Sequence, residues 1–173
     1  MKKIILTGHL GLDGMKVIME KKETDLKKRY APAFLGEAKR QISREPEYTK
    51  EQVEALTQAA VFPLGEGGIF TGLWNLAAEL ETGIVTDLKK FSLLQETIEI
   101  CERYRINPYQ LRSRGCYLVV TDDETAVRNR LEERGIPCAV IGELTNNNDK
   151  IIQNGEDIRY IDRPGPDELE KIL

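Results

Sequence analysis

Residues 62–77 read Phe-Pro-Leu-Gly-Glu-Gly-Gly-Ile-Phe-Thr-Gly-Leu-Trp-Asn-Leu-Ala, a cluster of glycines that leads directly into an apolar run. Leu73, Leu76, Ala77 and Leu80 recur at helical spacing, which predicts a loop followed by a helix with one buried face. The first turn of a helix has N–H groups without partners, and preceding glycines let the backbone approach an anion closely. The stretch therefore predicts either a cradle for a phosphate or carboxylate, or a tight turn whose glycines serve packing.

The candidate cradle consists of Gly65, Glu66, Gly67 and Gly68. Glu66 argues against an anion site, because its own negative charge would repel a phosphate unless a cation lies nearby or the side chain turns away. A short glycine motif of this kind is a hypothesis that depends on its surroundings.

A second unit of strand, glycine loop and helix opens the chain. Residues 4–7 are an apolar strand-like run, and the glycine-rich residues 8–14 follow. We expect a helix from about Gly14 onward that also carries Leu26. The loop contains His9, the only histidine of the chain, which is either a hydrogen-bonding partner in the structure or a ligand-binding residue.

The next segment predicts two helices separated by a proline-containing break. The helices are expected near residues 33–43 and 51–60, and Thr49 with Gln52 forms a capping box for the second. Beyond the glycine-led helix, residues 84–88 alternate as in a strand, and residues 95–104 have helical spacing.

The clearest supersecondary pattern is a β-α-β unit. Residues 116–120 and 137–142 are strand-like, with a helix over residues 126–134 between them. Thr121 and Glu124 have the spacing of a capping box at the start of that helix. The unit predicts a sheet covered by helices, and hence an α/β (α+β) fold.

The end of the chain predicts a β-hairpin and a short helix. Residues 150–161 turn at Asn154-Gly155, a dipeptide favoured in hairpins. Pro166-Asp167 suggests the start of a helix that runs to Leu173. Since there is no long linker or internal repeat, we expect one domain over residues 1–173.

Composition excludes several classes of protein. The formal net charge is −4, the sequence pI is about 5.3, and no basic cluster is present, which argues against nucleic-acid binding. No signal peptide or membrane-spanning run is visible, so we expect a cytoplasmic protein that does not bind membranes. The three cysteines, Cys101, Cys116 and Cys138, lack the spacing of a metal site and are expected to be reduced.

No arrangement of residues predicts autonomous catalysis. With one histidine, the chain offers no Ser-His-Asp pattern and no pair of titratable groups with an evident general acid–base role. Asp122 and Asp123 are better explained as charges at a helix N-terminus. We therefore assign no catalytic residue, no metal ligand and no intrinsic cofactor.

The order of several motifs resembles the C-terminal domain of the aminoimidazole ribonucleotide synthetase superfamily. The similarity extends from about Ile4 to Thr145, and the hydrogenase maturation branch, which dehydrates a carbamoyl group, is the most similar. The motifs that carry the resemblance lie, in order, at residues 66–69, 82–88, 96–101, 107–108, 113–115 and 135–142.

This resemblance implies a three-layer α/β fold with a mixed sheet and partly ferredoxin-like topology. It also implies ATP-dependent ligase or dehydratase chemistry in the complete enzymes, where an N-terminal domain holds most of the ATP and magnesium site. The chain is expected to lack that domain. Two motifs depart from the family: an Asp-Pro-Thr triplet is replaced by residues 63–65, and a Ser-Ser-Gly motif appears as Ser113, Arg114 and Gly115.

Two functional hypotheses remain open. In the first, the domain binds a phosphate-bearing small molecule or nucleotide and completes a site in trans with an N-terminal-type partner, which supplies ATP and magnesium. Its ligand-binding residues are expected to be His9, Gly65, Glu66, Gly67, Gly68, Ser113, Arg114 and Gly115. In the alternative, the domain is a non-catalytic regulatory or interaction module with a decayed ligand site. Either way, surface left by the missing domain favours a homo-oligomer or a heteromeric partner.

Overall fold

The computed structural model describes all residues from 1 to 173 and contains seven strands and seven α-helices. The strands are β1 Lys3–Thr7, β2 Ala60–Pro63, β3 Gly83–Asp87, β4 Tyr117–Thr121, β5 Cys138–Thr145, β6 Lys150–Asn154 and β7 Asp157–Tyr160. The helices are α1 Leu12–Lys21, α2 Glu23–Arg29, α3 Pro32–Arg44, α4 Lys50–Thr57, α5 Gly68–Glu79, α6 Gln95–Tyr104 and α7 Glu124–Glu133.

All seven strands form one mixed sheet in the order β2-β4-β1-β5-β3-β6-β7. Strands β3 and β6 run parallel, and every other neighbouring pair is antiparallel. Strand β1 lies between β4 and β5, so the β4-α7-β5 unit predicted from sequence is a split β-α-β unit of the ferredoxin-like kind. The mixed sheet and its partly ferredoxin-like topology confirm the expected fold class.

Helices cover both faces of the sheet, which gives the three layers. On one face, α5 buries Ile69, Leu73 and Leu76 against β1, β4 and β5. On the other face, α4 and α7 cover β1, β2 and β4 through a separate apolar cluster. The remaining helices, α1, α2, α3 and α6, pack around a third cluster beside the α5 layer.

Two predicted helix boundaries were wrong, the end of α4 and the start of α1. The helix expected over residues 51–60 ends at Thr57, because Gln58 adopts a left-handed conformation, and the chain then enters edge strand β2. The capping box of Thr49 and Gln52 is confirmed, with both hydrogen bonds present. The helix expected from Gly14 begins earlier, at Leu12, and Leu26 lies on the separate helix α2.

Three local predictions also need correction. Helix α7 is capped by Asp123, whose carboxylate accepts from Ala126 N–H, whereas the Thr121 hydroxyl accepts from Asp123 N–H. Leu80 is the C-cap of α5 and is 37% exposed, so it does not continue the buried stripe. The expected C-terminal helix is only a short 3-10 turn, Glu168–Lys171.

Candidate functional site

Three loops rich in glycine meet at one end of the sheet. The N–H of Gly11 donates to the Ser113 hydroxyl at 2.9 Å, and the N–H of Ser113 donates to the Gly65 carbonyl at 3.2 Å. Leu64 N–H donates to the Cys116 carbonyl at 2.9 Å. The three segments that the structure brings together contain all the predicted ligand-binding residues.

Ser113 joins these loops through its hydroxyl. Its side chain is buried, and its hydroxyl accepts from Gly11 and donates to the Leu111 carbonyl at 2.9 Å. A buried hydroxyl that donates one hydrogen bond and accepts another between two loops stabilises their arrangement.

Two glycines of the candidate cradle, Gly67 and Gly68, are explained by backbone conformation and packing. Gly67 and Gly68 have positive φ angles of 82° and 66°, a conformation that favours glycine. A Cβ on Gly68 would lie 2.6 Å from the Tyr109 carbonyl oxygen and 2.7 Å from that of Leu111. Only glycine fits at position 68, because the backbone of residues 109–111 approaches it so closely.

The N-terminus of α5 already holds a carboxylate of the chain itself. The backbone N–H of Gly67 donates to Asp167 Oδ2 at 2.7 Å, and Leu169 N–H donates to Asp167 Oδ1 at 2.9 Å. Asp167 is only 8% exposed. The contact shows that this helix N-terminus accommodates an anion, and that the C-terminal segment supplies one.

Glu66 faces a cation, as an anion site at this loop would require. Its carboxylate lies 3.7 Å from the Arg114 guanidinium, and both side chains are exposed. Arg114 and Gly115 therefore lie next to the glycine cluster, although they follow it by almost 50 residues in sequence.

His9 forms a paired contact with Glu45. The carboxylate accepts from His9 Nδ1 at 2.7 Å and from the His9 backbone N–H at 2.9 Å. Since a carboxylate only accepts, Nδ1 carries a proton and Nε2 is left for another partner. Glu45 could not be identified from the sequence, because nothing in the break between α3 and α4 marks it as a partner of His9.

A cavity of about 260 Å³ opens beside these residues. Three side chains that can carry positive charge, His9, Lys16 and Arg114, line it together with Gly115. Its acidic residues include Asp13, Glu45 and Glu47.

Two of these carboxylates already have partners. Arg112 donates to both oxygens of Asp13, at 2.6 and 3.3 Å, and His9 binds Glu45. The Arg112 guanidinium offsets the negative charge of Asp13 on the cavity wall.

Burial makes the thiol near the cavity a poor nucleophile. Cys116 is buried against the loops, and desolvation, with smaller contributions from Glu45 and Asp13, raises its pKa. All three cysteines are free thiols.

No three His, Cys, Asp or Glu side chains come together in a way that could hold a metal ion. None of the helices has both the length and the apolar character needed to cross a bilayer.

Similar solved structures share this fold at low sequence identity. E. coli HypE superposes with a TM-score of 0.76 at 14% identity, over 99% of this chain and 52% of that one. HypE in a HypE–HypF complex gives a TM-score of 0.69 at 20% identity, covering 94% of this chain and 53% of that one. A hydrogenase maturation protein HypE in complex with ATP gives 0.73 at 13% identity, covering 97% and 52%.

The chain spans about half the length of these solved proteins. No curated protein sequence matches it significantly. Residues 2–154, however, match the family described as AIR synthase related protein, C-terminal domain. With most of the chain matched and the layered mixed sheet in place, this protein belongs to the AIR synthase-related C-terminal domain family.

Proposed function

We propose that this domain binds the phosphate group of a small molecule or nucleotide in the cavity beside the three glycine loops. The observation that carries the proposal is the convergence of His9, Lys16 and Arg114 on one cavity of about 260 Å³. A guanidinium and an ammonium make strong charge-assisted hydrogen bonds to phosphate, and Nε2 of His9 adds a third polar contact.

Backbone geometry supports an anion near Arg114. Gly115 has a positive φ of 96°, is exposed, and has no atom within 4 Å of the position where a Cβ would lie. A ligand can therefore approach its backbone closely. Glu66 would turn from Arg114 to solvent when phosphate binds, because a 3.7 Å contact between exposed groups is weak.

In this proposal Gly67 and Gly68 make no direct contact with the phosphate when it first binds. The N–H of Gly67 is bonded to Asp167, so a phosphate can bind it only if the Asp167 carboxylate is displaced. In the resting arrangement the 65–68 loop forms a wall of the site, and Arg114, Lys16 and His9 provide the first contacts.

We further propose that the site is completed in trans by a domain of the kind that forms the other half of HypE. The support is that this chain covers about half of each solved HypE, one of which is in complex with ATP, while another is in a complex with HypF. ATP and magnesium would then bind mainly to the partner, and this chain alone would turn over no ATP.

Isothermal titration calorimetry with inorganic phosphate, ADP and ATP tests the ligand site. Wild-type protein is expected to bind at least one of them saturably. Arg114→Ala should weaken binding by about tenfold or more, the loss of one charge-assisted contact. Arg128→Ala is the matched control, because Arg128 lies on α7 and pairs only with Glu124. Equal affinity in the Arg114 and Arg128 variants would contradict the proposed site.

The second candidate is a non-catalytic interaction module. Two observations favour it: Asp167 fills the helix N-terminus, and steric contacts alone account for Gly68. Absence of saturable binding by all three compounds, with the fold intact by circular dichroism, would favour this candidate over the ligand-binding domain.

A further inference from the structure

Strand β7 leaves one edge of the sheet open. It pairs only with β6, and its four residues are all exposed. Two are large and apolar: Ile158 is 60% exposed and Tyr160 is 66% exposed. Open edges of this kind are templates for pairing with another strand.

The hydrogen bonds to β6 determine which backbone groups of β7 are free. Ile161 N–H donates to the Lys150 carbonyl at 2.8 Å, and in an antiparallel ladder alternate residues face the same neighbour. Asp157 and Arg159 therefore direct their backbone groups toward β6. Ile158 and Tyr160 direct theirs away from the sheet, where they are available to a further strand.

The opposite edge of the sheet is different. Strand β2 ends with Pro63, which has no N–H to donate, so that edge is poorly suited to extension. Strand β7 contains no proline.

We propose that β7 pairs antiparallel with β7 of a second copy of this chain, with Ile158 directly opposite Ile158. A two-fold axis then passes between the two isoleucines and joins the two sheets into one continuous sheet. In this register Asp157 of each copy lies directly opposite Arg159 of the other. Because the interface is two-fold symmetric, this pair of opposite charges occurs twice, once on each side of the axis.

The other registers that use the free backbone groups are less favourable. Centring the pair on Arg159 would place two arginines directly opposite each other, and like charges at that position are destabilising. Centring it on Tyr160 would place each arginine opposite Ile161, without a carboxylate. Charge complementarity therefore selects the register centred on Ile158.

An uncovered apolar strip on the sheet adds to the interface. Val85, Ile151 and Tyr160 lie in register on adjacent strands, and Ile158 shares their face. The apolar cluster beneath α4 and α7 on that side of the sheet contains no residue of β3, β6 or β7. Pairing of two copies would bury both Ile158 side chains and extend this strip across the axis.

Variants with one added cysteine test the register. Opposed residues that exchange hydrogen bonds have Cα atoms about 5.5 Å apart, which suits a disulfide. Ile158→Cys is therefore expected to form a disulfide-linked dimer under mild oxidation. Arg159→Cys and Tyr160→Cys should not, because their symmetry mates lie beyond the roughly 7 Å limit for bridging. Wild-type protein controls for the native thiols, of which Cys101 and Cys116 are buried.

Charge reversal tests the pairing independently. Sedimentation equilibrium of the wild type is expected to show a dimer fraction that rises with concentration. Asp157→Arg and Arg159→Asp should each abolish the dimer, and the double variant should restore it. A wild type that stays monomeric up to millimolar concentration, cross-linking at position 159 or 160 instead of 158, or reversals without effect would each overturn the proposal. All these residues are exposed, so the variants are expected to fold.

Discussion

Asp167 and Gly67, a hundred residues apart in sequence, are joined by a 2.7 Å hydrogen bond from the Gly67 N–H to the Asp167 carboxylate. The contact ties the C-terminal segment to the N-terminus of α5. It also gives the glycine-led helix an anion within the chain. The attachment of the C-terminal segment therefore depends in part on one buried carboxylate at the start of α5.

Removing this carboxylate should destabilise the domain. Asp167→Ala leaves the Gly67 N–H without its partner and removes a favourable charge from the helix N-terminus. We expect a loss of about 1.5 to 3 kcal/mol in the free energy of unfolding, as for hydrogen bonds to charged groups. Urea denaturation followed by circular dichroism measures it. Asp162→Ala is the control, since Asp162 is exposed; an equal effect of the two changes would contradict the role of Asp167.

The same variant should bind phosphate more tightly. Without Asp167, the Gly67 N–H is free to donate to an anion that reaches the loop. We expect the affinity for inorganic phosphate to rise about fivefold or more, a change of about 1 kcal/mol. Calorimetry of Asp167→Ala and wild type at the same salt concentration makes the comparison. Unchanged affinity would show that the α5 N-terminus takes no part in ligand binding.

Two glycines of the loop should respond differently to substitution. A methyl group at Gly68 would meet two backbone carbonyls at 2.6 and 2.7 Å, at a positive φ. We expect Gly68→Ala to cost more than about 2 kcal/mol, since backbone atoms cannot easily move aside. Gly65→Ala is the matched control, because no atom lies within 4 Å of its Cβ position, and its cost should stay within about 0.5 kcal/mol. Thermal unfolding of both variants measures the difference. Equal melting temperatures of Gly68→Ala and Gly65→Ala would be inconsistent with the packing described.

The buried thiols should be unreactive in the native protein. Burial raises the pKa of Cys101 to about 12, with a smaller contribution from Glu168, so very little thiolate forms there at pH 8. The pKa of Cys116 is also raised, again mainly by burial. Dithionitrobenzoate at pH 8 should therefore label Cys138 alone, slowly, and label three thiols in urea. Rapid labelling of two or more thiols in the native state would contradict this burial.

Local patterns predicted much of the fold. Helix α6 has the bounds that its spacing predicted, and the hairpin of β6 and β7 turns at Gly155, whose positive φ suits the turn. Strand β2 was missed because it is only four residues long and follows α4 after two residues. Its strand conformation comes from pairing with β4, a contact that the local sequence does not encode.

The site could be predicted only in part, for a similar reason. The glycine loops and Arg114 were identified because glycine clusters and basic residues stand out in a sequence. Glu45, Lys16 and Asp167 were not, since each reaches the site through tertiary packing and none belongs to a recognisable motif. Ser113 was identified, yet the structure uses it to join loops.

A phosphate titration followed by 15N–1H correlation spectra tests the central claim most directly, because it locates the bound anion on the chain. We predict saturable shifts of the Gly115 and Arg114 amides and of the His9 ring, with the amides of α7 unchanged. Absence of saturable shifts, or shifts confined to residues away from the cavity of His9, Lys16 and Arg114, would contradict the proposal that this domain binds phosphate as half of a larger site.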